Sequence, residues 1–295
     1  MENVGFLGLG LMGSPMAVRL ASEATPLVVW SRTTSHCDDA RAAGAELASD
    51  PDEVFDRCRV VILMLATEQA IDAVLGRGTE AFRRRVAGRV IVHMGTTMPS
   101  YAVGLSADIA AAHGVYVEAP VSGSRVPAAR GELVVMTAGP ADAVAEVVAL
   151  LRPVYRDVFG CGVAAGAALR MKLAVNLYLV TTVAALAEAS HFAQAQGLDL
   201  HTFVSIVNAG QLASPVAALK GDKLRDRDFG AQAAIHDVRK NSSFVVLAAQ
   251  DAGVATPLVE VADELYAETL ALGFGGEDMA AVVRALEART AHGVQ

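Results

Sequence analysis

Residues Val4 to Ala17 read VGFLGLGLMGSPMA, and this stretch restricts the possible folds more than any other. Val4 to Leu7 are four apolar residues of strand character. Gly8, Gly10 and Gly13 follow at G-x-G-x-x-G spacing, and Met16, Ala17 and Leu20 continue on one side of a helix. A strand, a glycine turn and a helix in that order serve three backbone needs. One glycine supplies the turn's angles, a second lets an anion approach the main chain, and a third allows close packing of helix on strand. The helix N-terminus then faces the anion. Glycines at this spacing also occur in ordinary turns, and it is the flanking strand and helix that favour a dinucleotide pyrophosphate.

A chain of 295 residues favours two domains, and 53% hydrophobic against 19% charged residues predicts a sizeable core and excludes disorder. Mean hydropathy is +0.40, which predicts apolar surface buried between subunits. The most apolar region, LAVNLYLVTTVAALA, is shorter than a bilayer span, follows Lys172 and is interrupted by Asn176, so it reads as a buried helix with no membrane partner. The first strand begins at Val4, leaving no room for a secretion signal, and a cytoplasmic location is expected. Cys37, Cys58 and Cys161 form no C-x-x-C pair and no metal spacing, as suits a reducing compartment. A net charge of −8 without a long basic run argues against a nucleic-acid partner.

From Val4 to about Gly162, apolar runs (PLVVW, VVILML, RVIVHM, VYVEA, ELVVMTAG) alternate with Ala-rich helical stretches, which predicts an α/β domain with a mostly parallel, doubly wound sheet. Beyond Ala164 the pattern becomes long Ala, Leu and Val stretches at helical spacing. The expected division is a Rossmann-type domain over 1–163 and an all-α domain over 164–295.

In the dinucleotide fingerprint, a carboxylate after the second strand binds the ribose 2′-OH of NAD, whereas an arginine accommodates the 2′-phosphate of NADP. Here that strand is followed by Ser31, Arg32 and Thr33, with no carboxylate before Asp38. A guanidinium and two hydroxyls attract a phosphate that a carboxylate would repel, so NADP is the expected cofactor, with His36 as an additional donor. The other reading of Arg32 is a solvated loop arginine.

Ligands of a doubly wound sheet lie beyond the carboxyl ends of its strands, which singles out Thr96 in HMGTTMP and Ser122 and Gly123 in EAPVSGS. Turn formation explains the same residue types equally well. Lys172 and Asn176 are four residues apart on one helix face with the apolar Leu169, Val180 and Val183. A lysine desolvated there would exchange a proton near neutral pH, although a lysine on an apolar face can also extend to solvent.

Taken in order, VGFLGLGLMG, VVWSRT, EAPVSGS, RMKLAVN and ALGFGGEDMAAVVRALE resemble the β-hydroxyacid dehydrogenase (3-hydroxyisobutyrate dehydrogenase-like) family over nearly the whole chain, and within it the glyoxylate/succinic semialdehyde reductases. The resemblance implies a Rossmann-type domain, a helical domain that mediates homodimers or homotetramers, and an active site between them. It implies that Gly8, Gly10, Leu11, Met12 and Gly13 hold the pyrophosphate, that Ser31, Arg32 and Thr33 face the 2′-phosphate, and that Leu65 and Thr96 line the cofactor. It further implies that Lys172 is the catalytic lysine, that Ser122 and Gly123 bind the carboxylate of a small-molecule substrate, and that Asn176 stands beside the lysine. Where the family usually has Lys-Asp-Leu, with the lysine toward the nicotinamide end, this chain has His236-Asp237-Val238, and His93 stands where aspartate is common. Lys240, one helical turn on, is displaced by roughly 6 Å from the position of that lysine.

These features lead to an NADP-dependent oxidoreductase acting on a small β-hydroxy acid or on an aldehyde or keto acid, with Lys172 as general acid/base. Two alternatives stand beside it. Imine reductases resemble this architecture but generally lack a lysine at the position of Lys172. A catalytically silent NADPH-binding protein is suggested only by His236.

Overall fold

The computed structural model describes residues 2–291 and 293, and the chain divides into two compact units, 1–172 and 173–295. The first unit is built on a six-stranded sheet of β1 (Val4–Leu7), β2 (Leu27–Trp30), β3 (Glu46–Leu47), β4 (Val60–Leu63), β5 (Val90–His93) and β6 (Val115–Glu118). The strands lie in the order β3-β2-β1-β4-β5-β6, and every pairing is parallel. Because β1 to β6 run the same way, the segments that follow them emerge at one end of the sheet, where ligands of this architecture bind.

Alternation along the strands separates two apolar layers. Phe6, Val29, Ile62, Val92 and Val117 are in register and share one core, while Val28, Val61, Ile91 and Tyr116 face the other. Helices cover both faces, as apolar runs buried on two sides require. The last row at the carboxyl edge runs Trp30, Leu7, Leu63, His93, Glu118. Two polar side chains thus end the row, and both are fully buried.

A second sheet comprises β7 (Val121–Ser122), β8 (Leu133–Thr137) and β9 (Tyr155–Gly160), with β7 antiparallel and β8 parallel to its neighbour. The stretch ELVVMTAG therefore forms a strand but not one of the main sheet. Sequence periodicity also passed over β3, β7 and β9. Two-residue strands are too short to show a period, and β9 is an edge strand that exposes Arg156, Asp157 and Phe159.

The described residues of the second unit are helical apart from short connections. It begins within the helix Ala167–Ala195 and continues through Leu200–Ala209, Pro215–Asp226, Ile235–Asp251, Pro257–Ala271 and Val283–Ala291. Asp199 and Ser214 cap two of these helices by accepting from the N–H groups of Thr202 and Ala217. At its core Lys220 Nζ lies 2.7 and 2.9 Å from the carboxylate oxygens of Asp278, which also accept from the N–H groups of Gln232, Ala233 and Ala280. Each of these donors meets part of the cost of burying that charge.

The helix Ala167–Ala195 corrects two expectations. It has 29 residues, so its length no longer excludes a span, and it is the one helix among the described residues long and apolar enough to cross a membrane. It is also buried on one face only: Leu173, Val180, Val183, Ala184 and Ala187 join the core of the second unit, while Tyr178 and Phe192 are exposed. The core helix of a soluble protein passes the same length and composition test.

Candidate active site

The glycine loop joins β1 to the helix Gly13–Ser22, and its three glycines have different reasons to lack a side chain. Gly8 has φ +102°, and a Cβ there would lie 2.4 Å from the Met64 carbonyl oxygen. At Gly13 a Cβ would sit 2.0 Å from the Gly8 carbonyl oxygen, so helix and strand can be this close only with glycine. A Cβ at Gly10 would meet nothing within 4 Å. Packing does not require glycine there, which leaves open main chain for an anion to approach. The helix beyond has no side-chain cap and no acidic residue in its first turn, with Leu11 and Met12 leading into it. Its uncapped start and the positive end of its dipole suit a pyrophosphate.

The loops after β1, β4 and β5 converge. Leu65 Cδ2 would lie 2.8 Å from a Gly8 Cβ, and the Leu65 carbonyl oxygen would lie 2.6 Å from one on Gly95, the residue before Thr96. Thr96 is half-buried, and the loop that carries it is held by a 3.0 Å bond from Met98 N–H to the Glu68 carboxylate. After β2, Ser31 is half-buried, whereas Arg32, Thr33 and His36 are exposed. Arg32 has no ion-pair partner among the described residues, while Asp38, the first carboxylate downstream, pairs with Arg41.

Ser122 lies in β7 opposite Val134, and Gly123 follows with φ +136°, where a Cβ would collide with Leu133 Cδ2 at 2.6 Å. The segment starts from Ala119, whose N–H donates to the His93 carbonyl at 2.8 Å, so it departs from the same edge row as the Thr96 loop. His93 itself is sealed, with Nδ1 2.7 Å from the Tyr116 hydroxyl. Burial pushes that phenol well above its ordinary pKa, so it remains a neutral partner.

Lys172 is 7% exposed and has no ion-pair partner among the described residues. Desolvation lowers its pKa from 10.5 to about 8. Such an ammonium gives up and regains a proton at physiological pH, as a general acid/base must. Asn176, one turn on, is 3% exposed, and its Nδ2 has no hydrogen-bond partner among the described residues. Leaving a buried amide donor unmet costs about 1–3 kcal/mol, which a ligand acceptor would recover.

His236, in the second unit, is fixed locally: its Nδ1 and its backbone N–H both meet the Gly275 carbonyl oxygen, at 2.8 and 3.1 Å. A carbonyl only accepts, so Nδ1 donates to it, while Nε2 lies 3.4 Å from the Asp237 carboxylate. Lys240 lies with its Nζ 5.9 Å from the Phe244 ring centroid.

Glu118 was given no role by sequence reasoning, although EAPVSGS contains it. Its carboxylate accepts from the backbone N–H groups of Gly166, Ala168 and Leu169. The available signal was an acid closing the apolar run VYVE, where a charge is costly unless the fold supplies donors.

Two family models divide the chain between them. One, described as the NAD binding domain of 6-phosphogluconate dehydrogenase, matches residues 3–162, and one described as NAD-binding of NADP-dependent 3-hydroxyisobutyrate dehydrogenase matches residues 166–286. The chain belongs to the 3-hydroxyisobutyrate dehydrogenase-like β-hydroxyacid dehydrogenase family. Glyoxylate/succinic semialdehyde reductase 2, chloroplastic, of Arabidopsis thaliana is 33% identical over 97% of this chain and 80% of its own length. The cytokine-like nuclear factor N-PAC of Xenopus tropicalis is 30% identical over 96% of this chain, which spans 53% of that protein. The fold of this family member is that of a 3-hydroxyisobutyrate dehydrogenase from Salmonella typhimurium, at TM-score 0.88 and 24% identity over 96% of this chain and 99% of that one. Family membership makes it an NAD(P)-binding protein of a hydroxyacid dehydrogenase family, with a Rossmann-type sheet and a helical C-terminal region.

Proposed function

We propose that the protein is an NADP-dependent oxidoreductase acting on the carbonyl or hydroxyl carbon of a small β-hydroxy acid or of an aldehyde or keto acid of the glyoxylate or succinic semialdehyde type. The observation that carries this reading is Lys172, buried with no counterion among the described residues, so that desolvation lowers its pKa to about 8. When bound, NADPH supplies the hydride. Lys172 as ammonium delivers a proton to the developing alkoxide oxygen in reduction, and as amine it accepts the hydroxyl proton in oxidation. Asn176 Nδ2 has a donor to spare for orienting the substrate. Ser122 and the main chain at Gly123 place the substrate carboxylate, supplying the positioning on which the transfer depends. The open main chain at Gly10 and the exposed, unpaired Arg32 favour a phosphorylated dinucleotide, with Ser31, Thr33 and His36 adding donors and Leu65 and Thr96 packing beside it.

The proposed setting is a cytoplasmic homodimer or homotetramer with neither membrane nor nucleic acid as partner. Tyr178 and Phe192 on the long helix, both more than half exposed, suit burial by another copy. An imine substrate is disfavoured by the lysine at position 172. N-PAC relatives raise the reading of a silent cofactor binder, against which Lys172 and Asn176 are both present. The deciding experiment follows NADPH oxidation with glyoxylate, succinic semialdehyde, longer β-keto acids and cyclic imines, for the wild type and Lys172→Ala. Turnover of an aldehyde or keto acid, reduced by about two to four decades in Lys172→Ala with cofactor binding intact, is expected. Imine turnover alone, or none with any carbonyl, would overturn the reading.

A further inference from the structure

Glu118 closes β6 fully buried, with no ion-pair partner among the described residues. Its carboxylate accepts from Ala168 N–H at 3.0 Å, Leu169 N–H at 3.1 Å and Gly166 N–H. Gly166 immediately precedes the helix Ala167–Ala195 and has φ +84°, a conformation natural to glycine. The acid therefore occupies the positive end of that helix, and three otherwise unpaired N–H groups hold it. Arg170, Tyr116 and Cys161 are the titratable groups that interact electrostatically with it. On the strand side, Glu118 is in register with His93, so the helix start is fixed to the sheet edge from which the Thr96 loop departs.

Lys172 follows Leu169 by three residues and Ala168 by four, about 6 Å along the same helix. We propose that Glu118 is the positioning residue for Lys172: by clamping the first turn of the helix to the end of β6, it holds the lysine in its dry site at the geometry proton transfer needs. A misplacement of about 1 Å at such a group can cost on the order of a hundredfold in rate. The inference rests on the reading of Lys172 as acid/base, yet the clamp itself is testable without substrate.

Competitive labelling of Lys172 with acetic anhydride across pH, read by mass spectrometry, gives its titration midpoint in the wild type, Glu118→Gln and Glu118→Asp. Glutamine keeps the shape but replaces one acceptor oxygen by a donor that opposes the helix N–H groups. In Glu118→Gln the helix start should loosen, amide exchange at Ala168 and Leu169 should quicken, and water should reach Lys172. Its midpoint should then rise from about 8 by about one unit, a tenfold change in the ammonium-to-amine ratio. Glu118→Asp, which keeps the charge, should rise less and serves as the measurement should Glu118→Gln fail to fold. A lowered melting temperature with an unmoved midpoint would make Glu118 merely structural and overturn the proposal. Turnover of succinic semialdehyde by Lys172→Ala separates the two ideas: undiminished turnover would remove the lysine from the mechanism while a shifted midpoint in Glu118→Gln would keep the clamp.

Discussion

Lys172 and Asn176 stand one turn apart on a single helix, both almost fully buried, and among the described residues the first has no counterion and the second has an unmet amide donor. Both arrangements cost stability in the protein alone, and the proposed substrate would answer both, bringing an anion and an acceptor.

Reduction needs the ammonium form of Lys172 and oxidation the amine. Carbonyl reduction should therefore fall as pH rises through about 8, and alcohol oxidation should rise through the same value. The stability sign follows from the same depression: burial taxes the ammonium below about 8, and the tax vanishes above the ordinary value of 10.5, so this group's contribution makes stability increase with pH between them. Lys172→Met should accordingly melt above the wild type at pH 7 while losing turnover. A lower melting temperature would contradict the desolvation argument.

The glycine loop separates folding from binding. Gly10→Ala adds a methyl into open space, so its melting temperature should match the wild type while the Kd for NADPH rises about tenfold or more, about 1.4 kcal/mol. Gly13→Ala forces a contact with the Gly8 carbonyl and should destabilise by about 1–3 kcal/mol. Calorimetry and fluorescence titration of NADPH distinguish the two, and equal melting temperatures for both variants would refute the packing role of Gly13.

Arg32→Ala should weaken NADPH roughly ten- to hundredfold, the worth of about 1.5–3 kcal/mol for a charge-assisted contact, and leave NADH nearly unchanged. Parallel titrations with the two cofactors test this, and an equal loss for both would remove Arg32 from the 2′-phosphate.

The resemblance implies that His236 stands where the family usually carries a lysine, and its ring is tied to Gly275. A missing cation weakens attraction for an anionic substrate, so His236→Lys should lower KM for glyoxylate and succinic semialdehyde. Steady-state kinetics of the variant decide it. An unchanged KM would mean that position 236 does not contact the substrate acid, leaving Lys240 or another group as the candidate.

The opening strand, glycine turn and helix were legible from one short stretch because their requirements are local: period, turn angles and the missing Cβ at Gly8 and Gly13. The parallel α/β sheet and the helical second unit were likewise legible, since buried strands and amphipathic helices impress their periods on the chain. The short strands β3 and β7 and the exposed edge strand β9 left no such mark, and ELVVMTAG reads the same whichever sheet receives it. Tertiary structure alone decided that Glu118 would meet the N–H groups of residues 166, 168 and 169, about fifty positions away. It also decided that Lys172 would be buried with no counterion among the described residues, so that desolvation brings its proton within reach of neutral pH. Desolvation depends on every neighbour a side chain acquires at long range, and no local pattern encodes that sum.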